Sequence, residues 1–192
     1  MSEVLKPGDG FVYMKVGTHA RETLEDIIKR KTKEIEDAGF ALWGYGGNTC
    51  HPQTMIQPFV GVYEKRSGPI YLYMEPMDSK HFAEPLRADE FSMDGVNWSE
   101  IPKPINVLGS RYALVLKDLH SVQMDIHLAD TRVALGRSAG TAGSDYVKGR
   151  VDKACLELIE PVQSSEDRRP VSIRLAAELQ APYAVYVRNR SD

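Results

Sequence analysis

Three features of the sequence predict an α+β fold, with a mainly antiparallel, bent sheet, two main helices and a C-terminal β appendage. Two stretches carry helical periodicity, residues 20–38 and residues 144–160, against about eight to ten short strand-like runs. The two kinds of element are unevenly interspersed, so the regular βαβ order of a parallel sheet is absent. The length of 192 residues suits one domain at about 100–200 residues each. Residues 1–161 read as that domain and residues 162–192 as a linker followed by strands.

The chain opens on a turn at Pro7 and Gly8. It then enters a strand over residues 11–16, where Val12, Met14 and Val16 alternate with Phe11, Tyr13 and Lys15. In the helix over residues 20–38, Ala20, Leu24, Ile27, Ile28 and Ile35 form one stripe, Thr18 is the expected N-cap and Gly39 the expected stop. Its basic run from Lys29 to Lys33 lies among Glu25, Asp26, Glu34, Glu36 and Asp37, and so reads as a mixed, solvated face. A strand at 40–43 leads into a glycine loop at 44–52. Residues 59–63 and 70–74 read as a hairpin around the turn 64–69, because valines and aromatic residues alternate. Phe59, Tyr63, Tyr71 and Tyr73 would share one face of it, as a platform for bases or as cross-strand pairs.

Further along, Asp94 and Gly95 predict a tight type I′ turn between short strands at 91–93 and 96–98. Residues 112–116 read as a strand buried on both faces. Residues 122–128 alternate, with Val122, Met124, Ile126 and Leu128 inward and Gln123, Asp125 and His127 outward. A third β-like run at 132–135 enters the glycine-rich stretch 136–143. That stretch opens the second helix, with Val147, Val151, Ala154, Cys155 and Leu158 as its buried stripe and Pro161 as its stop. After a polar linker at 162–170, strands at 171–175 and 183–187 form the appendage. It would pair with its own sheet or with another protomer's, giving a homo-oligomer.

The charge balance narrows the partners. The 24 Lys and Arg against 27 Asp and Glu give a net charge of −3, which argues against a nucleic-acid polymer as the main partner. No run approaches the roughly 18 apolar residues of a spanning helix, and the N-terminus lacks a signal peptide's apolar core. The expectation is a cytoplasmic protein with no membrane partner. Cys50 and Cys155 sit in no CxxC motif, and the five histidines form no HxxxH or HxH spacing, so no metal and no cofactor are expected.

Two glycine-rich segments hold the candidate ligand-binding residues. In the first, Trp43 or Tyr45 would stack a planar ring, Asn48 and Thr49 would read polar edges, and His51 would donate to an anion or act as a base. The same residues also fit a tight glycine corner with Trp43 in the core. In the second, Arg137, Gly140, Thr141, Gly143 and Ser144 precede a helix, where free backbone N–H groups and the positive dipole end favour an anion. Its spacing matches neither the Walker nor the dinucleotide pattern, and an ordinary flexible connection fits as well.

The leading functional reading is a module that binds a small planar anion, a nucleotide or nucleotide-like signal. One alternative is a hydrolase or transferase with His51 or His127 as general base and Asp125 as orienter. The other is an interaction protein that adds its C-terminal strands to a partner sheet.

Overall fold

The computed structural model describes residues 5–18, 22–46, 53–78, 86–148, 151, 153–161 and 170–191. Strand β1 (Gly10–Thr18) is buried on both faces, with Val12 and Met14 on one and Phe11 and Tyr13 on the other. Helix α1 (Leu24–Ala38) begins at Thr23 and not at Thr18. The Thr23 hydroxyl accepts from the Asp26 N–H and the Thr23 N–H donates to the Asp26 carboxylate, a reciprocal cap that fixes the first turn. Gly39 ends the helix at φ +83°, returning its N–H to the Ile35 carbonyl. Strand β2 (Ala41–Tyr45) follows directly.

Residues predicted as a hairpin strand are instead helix α2 (Gln53–Ser67). Ile56, Phe59, Val60 and Tyr63 are buried while Val62 is 53% exposed, the three-and-four spacing of a helix stripe. β-branched and aromatic composition favoured a strand, but burial against the sheet overrides propensity here. Phe59 and Tyr63 therefore do not share a strand face with Tyr71 and Tyr73, which lie on β3 (Tyr71–Asp78).

The remaining elements are β4 (Glu90–Ser92), β5 (Ser99–Glu100), β6 (Tyr112–Leu116), β7 (His120–His127), β8 (Thr131–Val133), α3 (Gly143–Tyr146), β9 (Lys153–Leu158) and β10 (Pro170–Arg188). The β4–β5 pair forms, but its turn is not type I′, since Gly95 has positive φ and Asp94 does not. The Asp94 carboxylate instead gathers the Val96 and Asn97 N–H groups and the Ser92 hydroxyl. The second predicted helix is a single four-residue turn followed by strand β9. Ala154, Cys155 and Leu156 are consecutive and buried because β9 lies between β1 and β8, and a strand buried on both sides has no polar face to betray its period.

One mixed, mostly antiparallel ten-stranded sheet results, in the order β2-β6-β10-β3-β1-β9-β8, with β4, β5 and β7 off this path; it is not closed. Only β1 and β3 are parallel among the described pairs. The C-terminal strand pairs within this sheet. At Leu175 and Ala176 it pairs with β3 and β7, at Tyr186 with β6 and β4, and its Ile173, Leu175, Ala177 and Val185 are core residues. Its register slips between Leu179 and Ala184, where Pro182 has no N–H to give the ladder and Tyr183 takes φ +66°. Both long helices pack on one face of the sheet with Val12, Met14 and Leu175, while β7, α3 and the 3-10 turn Leu128–Asp130 help cover the other. No helix among the described residues is long and apolar enough to cross a membrane.

Candidate functional site

The carboxyl end of β1, one of the two parallel strands, opens into a cleft of about 280 Å³. Ligands favour this end of parallel strands because the chain departs there and leaves a crevice. Its walls come from β1 (Met14, Val16), α1 (Ile27, Arg30, Lys31), β2 (Trp43, Gly44), residues 106–108 and Lys153 at the start of β9. Glu22, just ahead of the α1 cap, closes one side.

Each wall is fixed by local chemistry. Lys31 is buried, and its ammonium donates to both Glu34 oxygens at 3.1 and 2.8 Å, to the Leu42 carbonyl at 2.7 Å and to the Asn106 carbonyl at 2.9 Å. Helix, strand and loop are thus tied by one group. Burial pulls the Lys31 ammonium down to about 8, against the opposing pull of Glu34. Glu34 in turn accepts from the Asn106 N–H and from Arg30 Nη1. Gly44 is required where residues 107–110 cross β2: a Cβ there would meet Ser110 Oγ at 2.2 Å.

The Arg30 guanidinium points its other edge at Glu22, with Nε and Nη2 each 2.9 Å from a carboxylate oxygen. That hydrogen-bonded partner holds the Glu22 carboxyl below its ordinary range. Lys15 directs its amine to the Val147 carbonyl. Arg30 thus turns its Nε and Nη2 donors toward the Glu22 side of the cleft, and the half-buried Lys153 is a second cation of the same lining.

Of the residues expected to bind a ligand, Trp43 lines this cleft and is 9% exposed. Tyr45 lies deeper, 5.4 Å from the Tyr112 ring, beside a small apolar crevice that shares Met14 and Lys153 with the cleft. Asn48, Thr49, Cys50 and His51 lie outside the described residues. The cleft takes nothing from residues 137–144. Arg137, Gly140 and Thr141 are exposed, and three of the turn's N–H groups have backbone acceptors: Ala139 donates to the Gly136 carbonyl, Gly140 to that of Val133 on β8 and Thr141 to that of Ser138. Gly143 is pressed against Thr131, where a Cβ would meet Oγ1 at 2.0 Å, and Ser144 lies in the short α3, next to Asp145. The helix start expected to cradle an anion is thus one acidic turn, too short to build a dipole. Gly136 does reach the start of α2, where a Cβ would lie 2.4 Å from Met55 Cε.

Asp125 and His127, the candidates for acid–base work, are exposed on β7 and line a separate cavity of about 550 Å³ with Met124, Ile126 and Leu158. The Asp125 carboxylate accepts from the Ser172 hydroxyl at 2.9 Å. Among the described residues, no group of three or more His, Cys, Asp or Glu is placed to hold a metal ion. Cys155 is fully buried, and burial pushes its thiol well above the ordinary value.

The reading of residues 29–33 as a solvated face missed Arg30, Lys31 and Glu34 as wall builders. Their signal was positional: with Leu24 and Ile27, Lys31 and Glu34 continue the three-and-four spacing of the buried stripe. No protein-family model, curated protein or solved structure matches the chain.

Proposed function

We propose that this chain is a small-ligand-binding module whose site is the cleft at the end of β1. A planar anion lies with its ring against Trp43 and its negative group toward Arg30. The observation that carries this reading is the meeting of Trp43 and the Arg30 fork in one cleft, whose walls are tied together by the buried Lys31. Preorganised walls lower the ordering cost of binding. The ligand class is a small planar anion, a nucleotide-like signal being one member of it, and its anion goes to Arg30 on α1 in place of the second glycine loop. The volume, about 280 Å³, falls just below the usual small-molecule sites of about 300–1,000 Å³, so the ligand is no larger than a mononucleotide.

The test is a titration with AMP and cyclic AMP at millimolar concentration, followed by melting temperature and by tryptophan fluorescence in a Trp98→Phe background. Binding should quench or shift Trp43 and raise the melting temperature, and Arg30→Gln should weaken it about tenfold or more, the scale of a charge-assisted fork. An unchanged signal in both measurements for every planar anion tried would sink the reading.

A further inference from the structure

Arg30 already holds the kind of group the cleft is proposed to bind. Glu22 lies one residue before the α1 cap, and its two oxygens take the Nε and Nη2 donors side-on, each at 2.9 Å. This is the geometry in which a guanidinium receives any carboxylate. The pair is partly exposed, with 32% of the Arg30 side chain and 39% of the Glu22 side chain open to solvent, so holding it together stabilises the fold little. Arg30 is braced separately from behind: Nη1 faces Glu34 Oε1 at 3.5 Å, and Glu34 is buried and gripped by Lys31. Releasing Glu22 therefore leaves the guanidinium in place, with an open fork facing the cleft that Trp43 lines.

Resting on the binding role proposed above, we propose that Glu22 is the built-in occupant of the anion position. The ligand is then an aromatic carboxylate whose own carboxylate replaces that of Glu22 on Arg30. Exchanging one carboxylate for another at the same donors changes the electrostatics little, so the gain comes from the ring against Trp43. Two features favour a monoanionic carboxylate over a phosphate dianion. Glu34 sits directly behind Arg30 and opposes a second negative charge, and the Lys31 and Lys15 amines are committed to partners in the walls. Glu22 also sets selectivity, since a neutral ring does not displace it.

The experiment uses the full chain carrying Trp98→Phe, so that Trp43 is the reporter. Benzoate, benzamide, phenyl phosphate and AMP are each titrated into this protein and into its Glu22→Gln, Glu22→Ala and Arg30→Gln variants, with thermal melts confirming that each is folded. Removing the Glu22 charge should tighten benzoate about tenfold, the scale of one charge-assisted contact, and leave benzamide unchanged, while Arg30→Gln should abolish benzoate binding. Benzoate affinity that is unchanged or weaker in both Glu22 variants overturns the occupant role, while the cleft reading survives if AMP or benzoate still perturbs Trp43. An equal gain for phenyl phosphate overturns the carboxylate class. If no probe perturbs Trp43 in any variant, the binding role itself fails and this inference with it.

Discussion

Lys31 and Glu34 face each other one helical turn apart at 2.8 Å, with side chains only 5% and 2% exposed. Two opposite charges buried together on a helix stripe are costly to desolvate, and each is tolerable because the other is present. Here the ammonium also gives hydrogen bonds to the Leu42 and Asn106 carbonyls, and the carboxylate receives the Asn106 N–H. The pair is what joins α1 to the edge strand β2 and to the loop that walls the cleft.

Removing one partner should therefore cost more than removing both. Lys31→Met is expected to destabilise by on the order of 3 kcal/mol, because it strands Glu34. The double change Lys31→Met with Glu34→Met should recover much of that loss. Urea denaturation of the two single variants and the double variant measures the coupling, and strictly additive losses would contradict it.

The same pair imposes a pH dependence. Lys31 titrates near 8 in the folded protein and near its ordinary 10.5 when unfolded, so between those values the unfolded chain binds the extra proton. Stability contributed at this site thus rises as pH climbs through that window. Melting temperatures of wild type and Lys31→Met, compared from pH 7 to about 10.5, should diverge in favour of wild type as pH rises. Parallel curves would mean that Lys31 keeps its ordinary affinity for the proton.

Gly44 tests whether the loop at 107–110 shapes the cleft. An alanine Cβ would stand 2.2 Å from Ser110 Oγ, 2.9 Å from its Cβ and 3.0 Å from Val107 Cγ1, so the loop must lift. Gly44→Ala should lower both stability, by about 1–3 kcal/mol, and ligand-induced quenching of Trp43. Adding Ser110→Gly should restore part of each. The idea fails if Gly44→Ala behaves as wild type.

Asp94 organises the β4–β5 turn. Backbone N–H groups of Asn97 and Val96, then the Asn97 and Ser92 side chains, hold its carboxyl far below the ordinary value of 3.8. The contribution of this lowered group is present above that ordinary value and is lost as pH falls beneath it. Trp98 follows the turn and lies 3.9 Å from the Arg188 guanidinium, so its fluorescence in a Trp43→Phe background should change on acidification. Asp94→Asn should show the acid-state signal already at neutral pH. Identical titrations of the two proteins would refute this.

At the opposite end of β1, the Tyr63 hydroxyl donates to Glu157, whose other oxygen receives Arg132 Nη2 at 3.0 Å. Burial, then the Glu157 bond, pushes the phenol up to about 12. Tyr63→Phe leaves a nearly buried carboxylate short of one donor and should cost about 1–2 kcal/mol. Wild type should lose this advantage as pH rises from about 10 to 12, where the unfolded phenol ionises first. An equally stable Tyr63→Phe variant at neutral pH would show that Arg132 and Arg66 satisfy Glu157 without it.

Much of the sheet was legible because strands with one dominant pattern announce themselves. Residues 112–116 are an unbroken apolar run and residues 122–128 alternate; the first is β6 and the second lies in β7 up to His127, with Leu128 opening the 3-10 turn. Helix α1 was legible from its stripe and from Gly39, although its cap proved to be Thr23 with Asp26. Helix α2 and strand β9 were each read as the other class. Strand β9 is buried on both faces and shows no polar side, while α2 places apolar Val62 on its exposed side, so in neither does composition reveal the period. Of the candidate site, Trp43 was readable from its place beside the glycine loop. Arg30, Lys31 and Glu34 were hidden by composition, because a balanced charge run resembles solvated surface until a strand and a loop cover it.

The sequence by itself determined the α+β class, the carboxyl end of α1 at Gly39 and the apolar strands. These depend on periodicity and on turn chemistry within a few residues. Only the tertiary structure decided that the last strand runs through the sheet, that residues 136–144 close on themselves, and that Arg30 and Trp43 share a cleft. Those outcomes rest on contacts between residues far apart in the chain, where burial sets the cost of every charge and so selects which ones must be paired and which stay solvated.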